Sequence, residues 1–429
     1  MPGAGGRRML IMRSEMAGTR VLAIDQLTRD GARGRNGRPV VFIDDPDQAE
    51  VVLHAATVHR SQLFRSFCGK GLLFSDGDHW RERRRIVQPA FPPRQVDHHL
   101  EDVAAAIPHL VGRFESAARN DRPLAITDET LRFTTRILYE GVFGVPFPDT
   151  DATVDAILGF FDAVGGVLAA TIFPSQRLDG STMMEIRTVD AAMNAEIDRL
   201  VDVRRERGID STDARLDALG RIIAGVDDRD GVREEVRALM LAGAETASNT
   251  LGFLLVMLAR HPAARDRLEA EIDDPASTEH PYLDAVILET LRLFPAVWFQ
   301  TREVTTGFEL GGHRFEPDDL AFVATALIHR RPDLWPEPDA FRPERFLRDD
   351  GEPWRPPHRY AFLPFGGGRH LCLGRNLAMH ELRLATRAII ERFRVDLDES
   401  APLRAEIAVV LKPARDLRFQ VSERTGNAR

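Results

Sequence analysis

The sequence predicts a mainly α-helical α+β protein, and three observations carry that prediction. From about Val96 to Arg292 alanine, leucine, arginine and glutamate dominate, broken by turn clusters such as Arg119 to Pro123 and Val145 to Asp151. One uninterrupted helical pattern, from about Val232 to Arg260, is long enough at ~1.5 Å per residue to cross the molecule. After Pro295 the texture changes to short apolar runs punctuated by glycine and proline, which reads as a smaller strand-rich portion.

Taken in order, Val40 to Ile43 is a short apolar strand, Asp45-Pro46 a turn, and the residues after it a helix with Ala49, Val52 and Leu53 on one face. His261-Pro262 closes the long helix, because proline cannot continue it. Phe308 to Phe315, with Gly311-Gly312 at its centre, is a tight hairpin. Leu320 to Leu327 follows Pro317 as a further strand or short helix, and Ala405 to Val421 as two β segments around Pro413.

With 429 residues, 43% hydrophobic and 29% charged, the chain can bury a large core and solvate its surface. No linker, repeat or low-complexity tract divides it, so residues 1–429 are expected to form a single domain with short tails. A net charge of -9 argues against a general nucleic-acid binder. Met1 to Ala23 contains neither an apolar run near the ~18 residues of a membrane span nor a signal-peptide core, so a cytoplasmic protein without a membrane anchor is expected. Cys68 and Cys372 are too few for a disulfide framework, and the first reading of either is a small buried hydrophobe. Lysine occurs only at Lys70 and Lys412.

The tetrapeptide Glu-Thr-Leu-Arg occurs twice, at Glu129 to Arg132 and Glu289 to Arg292. Glutamate and arginine three apart share a helix face and can pair, which stabilises a helix by only ~0.2–0.5 kcal/mol. Context must separate the copies. The most informative context is Phe362 to Phe393, where Gly366, Gly367 and Gly368 lead to Cys372 and directly into a helix. The glycines let the backbone turn tightly and approach something flat. The free N–H groups and positive dipole end of the helix favour a thiolate at Cys372. A glycine-rich helix entry around phosphate is the alternative, but Gly366 to Gly374 lacks the lysine and Ser/Thr of a P-loop.

Phe365-Gly366-Gly367-Gly368-Arg369-His370-Leu371-Cys372-Leu373-Gly374 closely resembles the haem-binding loop of the cytochrome P450 family. The resemblance implies the mainly α P450 fold, haem b with Cys372 as its iron ligand, Phe365 and Gly374 framing the loop, and His370 on a haem propionate. Further motifs follow in the family's order. Trp80 to Arg85, then Pro89-Ala90-Phe91, resembles the helix over one haem edge, with Trp80 and Arg84 reaching the propionates and Arg81, Arg83 and Arg85 on a solvated face. Ala242-Gly243-Ala244-Glu245-Thr246 resembles the oxygen-activating turn, where Ala242 and Gly243 leave space above the iron and Glu245 and Thr246 organise protons. Glu289 and Arg292, followed by Leu293-Phe294-Pro295, match the family's Glu-x-x-Arg motif, and Phe341 to Phe346 supplies Arg345 to the same buried network. Arg302 matches another propionate-binding arginine.

The function so implied is a monooxygenase that inserts one atom of O2 into a lipophilic small molecule. Leu72 to Phe74, Phe160 to Phe173, Leu239 and Val297 to Phe299 are expected to line the pocket. Electrons come from NAD(P)H through separate proteins, a ferredoxin or flavodoxin and its reductase, docking on a patch of Arg81, Arg83, Arg85 and Arg375. Alternatives on the same scaffold are C–C coupling, peroxide-driven oxidation, or a non-catalytic partner activator. Retention of Glu245-Thr246 and of Cys372 weighs against the last two.

Overall fold

The computed structural model describes residues 37, 40–60, 69–91, 96–172, 180–210, 216–348, 354–397, 405–407, 410–414 and 417–424. Cys68 lies outside them. The helical body is organised on the central helix, Arg229–Arg260. Asp228 caps its first turn, accepting the Gly231 N–H at 2.6 Å, and its last turn ends at His261. By length and hydropathy this helix could cross a membrane, yet 78% of its apolar window is buried inside the protein, as a core helix requires. The helix Ile126–Ile137 lies along it. Two side-chain contacts clip them together: Thr134 Oγ1 donates to the Ala244 carbonyl at 2.7 Å, and Thr130 and Ser248 hydroxyls pair at 2.9 Å.

The strand-rich portion begins where the sequence placed it. Val41–Ile43 pairs in parallel with Leu320–Val323, which pairs antiparallel with Gln300–Val304, which pairs with Val58–Arg60, making one four-stranded sheet. Pro46–His54 packs Ala49, Val52 and Leu53 beneath it, after Asp45 caps the Asp47 and Gln48 N–H groups. A small core joins this helix to Val304, Phe315, Tyr360 and Leu363, and so braces the segment leading to the cysteine. The hairpin Phe308–Leu310 and His313–Phe315 turns through Gly311 and Gly312 at φ +59° and +75°, left-handed values that match its twist.

Two expectations need adjustment. Leu320 to Leu327 is both alternatives at once, a strand followed by the single turn Thr325–Ile328. The C-terminal stretch holds three β segments, not two. Pro413 ends the strand Leu411–Pro413, which among the described residues pairs only with Ala405–Ile407, so its missing N–H costs no ladder bond there. The third, Arg418–Glu423, lies between Leu124–Ala125 and Phe393–Leu397.

Candidate active site

The loop before Cys372 has its shape imposed by crowding. Gly366 and Gly368 adopt φ +75° and +68°, where a side chain is strained, and a Cβ on Gly368 would stand 2.7 Å from the Leu53 carbonyl oxygen. The Cys372 N–H donates to the Phe365 carbonyl at 3.0 Å, closing the loop. Gly374 then opens the helix Arg375–Arg392. A Cβ on Gly374 would meet no protein atom. Cys372 is accessible although its sulfur lies inside the protein envelope, so it opens onto an internal cleft rather than the outer surface. Burial raises its pKa, opposed by the Gly374 N–H and by Arg84, Arg375 and Arg60. In the protein alone, desolvation therefore outweighs the thiolate preference expected from the helix start.

Beside the cysteine lies a cluster of cations. Trp80 packs its ring edge-on to His370 with centroids 4.5 Å apart, and Arg84 stands 6.0 Å from the Trp80 centroid while donating to the Leu371 carbonyl at 3.3 Å. Arg302 on Gln300–Val304 and Arg60 on Val58–Arg60 are direct cross-strand partners, so two guanidinium groups share one sheet edge. Burial lowers both, Arg60 to about 9, where Arg302 adds to the effect, and Arg302 to about 10. Asp76 is the carboxylate facing them. Burial would raise it, but hydrogen bonds from His370 and the Arg60 N–H hold it well below the usual range. His370 Nε2 contacts Asp76 Oδ1 at 3.2 Å, while its Nδ1 is buried without a partner, and burial lowers the ring to about 4 despite Asp76. Arg60 was not singled out from the sequence. Its signal is its register opposite Arg302, which only strand pairing reveals.

On the central helix, Leu239, Ala242 and Thr246 share a face at spacings of three and four and, with Gly243, are the accessible positions of an otherwise buried stretch. Thr246 Oγ1 donates to the Ala242 carbonyl at 2.7 Å, leaving its lone pairs to accept. Gly243 is partly accessible, and a Cβ there would approach Leu138 Cδ1, in the five-residue π turn Leu138–Val142, to 3.1 Å, while Ala242 beside it is exposed. Glu245 is buried and lies 3.8 Å from Lys412 Nζ. Of the expected pocket residues, Leu73, Leu239 and Val297 are accessible, whereas Leu72, Phe74, Phe160, Phe161, Trp298 and Phe299 are packed into the core; Phe173 lies outside the described residues. Arg83 does not join Arg81, Arg85 and Arg375 on an exposed patch: its side chain points inward, 3.6 Å from Glu235.

The two Glu-Thr-Leu-Arg copies are built differently. Arg292 Nε and Nη2 grip Glu289 at 2.7 and 2.8 Å, both residues fully buried, and Arg345 Nε adds a bond to Glu289 at 3.0 Å. Arg292 also donates to the carbonyls of His329, Pro338 and Ala340. In the other copy the two residues are also largely buried but do not pair with each other: Glu129 binds Arg113, and Arg132 binds Asp149 and Asp151. His329 connects the first network to the cysteine segment. It accepts the Leu363 N–H at Nε2, 2.7 Å, so Nδ1 carries the proton and donates to the Arg292 carbonyl at 3.1 Å. Behind the loop, a groove of about 570 Å³ runs along Gly366, Gly367, Leu371, Arg375, Met379 and Arg383. Ala242, Thr246 and Cys372 are not among its walls, so it is a surface groove distinct from the cleft.

Comparison with known proteins agrees with this arrangement. The cytochrome P450 family model matches residues 34–420. Cyclooctatin synthase of Streptomyces melanosporofaciens is 31% identical over 83% of this chain and 81% of its own length. Cyclooctat-9-en-7-ol 5-monooxygenase of the same organism is 29% identical over 81% and 78%, and putative cytochrome P450 132 of Mycobacterium bovis is 29% identical over 88% and 86%. A solved cytochrome P450, CYP102L1, superposes with a TM-score of 0.77 over 96% of both chains at 24% identity, which establishes the shared fold. The chain belongs to the cytochrome P450 family and is a bacterial-type P450 monooxygenase, an oxidoreductase.

Proposed function

We propose that Cys372 ligates the iron of a haem b and that the cations beside it hold the haem carboxylates. The observation that carries this reading is the accessible cysteine in an internal cleft beside four basic groups, Arg60, Arg84, Arg302 and His370, whose Nδ1 is buried without a partner. Two carboxylates are the complement that such a cluster lacks. Phe365 and Gly374 frame the sulfur, and Trp80 orients His370. Bound there, haem supplies oxygen activation: one atom of O2 goes to the substrate and the other to water. The chain's own share is to hold the sulfur, to keep Ala242 small, and to bring protons to the Thr246 hydroxyl from Glu245.

The substrate is a lipophilic small molecule, and the relatives' names favour a cyclic, mostly hydrocarbon alcohol. Leu73, Leu239, Ala242 and Val297 offer an apolar surface consistent with it. Electrons reach the haem from NAD(P)H through a separate ferredoxin or flavodoxin and its reductase. Residues 1–429 act as one catalytic domain in the cytoplasm.

Two measurements test this reading. The reduced carbonyl complex should show the red-shifted Soret band of a thiolate ligand, lost in Cys372→Ala and kept in Cys68→Ala; an unchanged band in Cys372→Ala overturns it. Cyclic alcohols should shift the haem spin state on titration where charged analogues of similar size do not.

A further inference from the structure

In a chain that uses arginine for nearly every cation, Lys412 is buried in the helical side of the molecule, 4% exposed. It is ringed by carboxylates from three elements. Its Nζ donates to Asp162 Oδ1 at 3.0 Å, on the helix Asp151–Ile172. It lies 3.8 Å from Glu245 Oε1 on the central helix and 4.0 Å from Glu406 Oε2 on Ala405–Ile407. Pro413, the next residue, fixes the strand against the same helix, where a Cβ on Gly252 would come within 3.1 Å of its ring. The ammonium is thus held in place by backbone packing as well as by charge.

The exposures are graded. Glu245 is 9% exposed at its side chain, Glu406 12% and Asp162 21%, so Asp162 is the member of the cluster nearest to water. Glu245 adjoins Thr246, whose side chain is partly accessible, while its own carboxylate turns to Lys412. An acid that must be reloaded with protons after each turnover needs a polar path outward, and the Lys412 cluster is the one its own carboxylate faces.

We propose that Lys412 is a positioning residue for proton entry: its ammonium holds Glu245 and Asp162 at the inner and outer ends of one acidic cluster, and protons reach Glu245 by way of Asp162. Each proton that Glu245 passes toward Thr246 is replaced from solvent, so the cluster's net charge is restored. Lysine suits the place because its three donors on a compact head can face three carboxylates at once. The proposal rests on the reading of Glu245 as the proton-supplying acid.

The test uses the haem-loaded full chain with a surrogate ferredoxin and its reductase, measuring oxygen consumed and hydrogen peroxide released in H2O and D2O. Lys412→Met should lower kcat several-fold, raise the solvent isotope effect and increase the peroxide fraction, with the KM for ferredoxin and the haem content unchanged. Asp162→Asn should act in the same direction, and the double variant should be no worse than Lys412→Met. Lys412→Arg should recover most of kcat, because it keeps the charge that holds both carboxylates. If Glu245→Gln alters isotope effect and peroxide fraction while Lys412→Met and Asp162→Asn do not, the proposal is overturned and the Glu245 reading stands. If Glu245→Gln alters neither, that reading fails and takes the proposal with it. Should Lys412→Met lose haem, Asp162→Asn and Lys412→Arg decide the matter by the same readouts.

Discussion

Replacing Arg292 by alanine removes five hydrogen bonds at one stroke, two to Glu289 and one each to the His329, Pro338 and Ala340 carbonyls. Glu289 would keep the Arg345 side chain at 3.0 Å and the Arg342 N–H at 2.8 Å, but with no exposure to solvent it would carry a charge only partly compensated. Breaking a buried pair from one side costs about 3–5 kcal/mol. Arg132, the same letter in the other copy, is itself largely buried, but its partners Asp149 and Asp151 are 27% and 89% exposed, so Arg132→Ala leaves carboxylates that water can solvate, at about 0–1 kcal/mol of pairing energy. The contrast should therefore exceed ~2 kcal/mol in favour of Arg132→Ala. Urea denaturation of the haem-free proteins, followed by circular dichroism, measures it, and haem content after purification gives a second reading. Arg292→Lys should fall between the two, since lysine keeps the charge but not the fork. Equal midpoints for Arg292→Ala and Arg132→Ala would refute the argument that burial of the partner carboxylate, not sequence, separates the copies.

Thr246→Ala should retain haem and the thiolate spectrum yet release a larger share of consumed oxygen as hydrogen peroxide; full coupling, assayed as product per reduced cofactor, would show that the hydroxyl is not needed. Glu235, on the central helix, accepts the Leu72 N–H at 3.0 Å, and burial raises its pKa from 4.5 to about 7. The folded state then binds the proton more tightly than the unfolded chain, so this contribution is complete below pH 4.5 and lost as pH rises through 7, up to about 3 kcal/mol. Glu235→Gln should flatten the stability profile between pH 5 and 8, checked by thermal melts across that range. Arg60→Gln should speed haem transfer to an apo-globin acceptor by roughly 10-fold or more, as loss of a charged hydrogen bond of ~1.5–3 kcal/mol requires; an unchanged rate would remove Arg60 from the haem-holding set.

Much of the fold was legible because period and punctuation agree. The central helix shows its length in the pattern and its C-terminal end in His261-Pro262, while its start at Arg229 after the Asp228 cap lies three residues before the expected Val232, and the Gly311-Gly312 hairpin is dictated by two left-handed backbone positions. The third C-terminal strand was hidden because Pro413 reads as a break when it is an edge position. The site was legible where a motif is contiguous, as around Cys372. It was illegible where residues meet only through pairing: Arg60 depends on a strand register, His329 on a tautomer fixed by two backbone groups, and Lys412 on three elements converging. That Leu138 packs against Gly243 is likewise invisible in sequence, which cannot tell which side of a helix a neighbour presses on.

His329 has a consequence of its own. Burial lowers its pKa to about 3, so the imidazole that joins the Arg292 backbone to Leu363 stays neutral wherever a cell can live. Histidine is ordinarily the side chain that reports acidity. Walled in between one donor and one acceptor, it becomes an insulated strut instead. Fluctuations in proton concentration, or the proton traffic that turnover itself generates a helix away, leave its length unchanged, and the segment that presents the sulfur is held by a joint that chemistry at the other face cannot loosen.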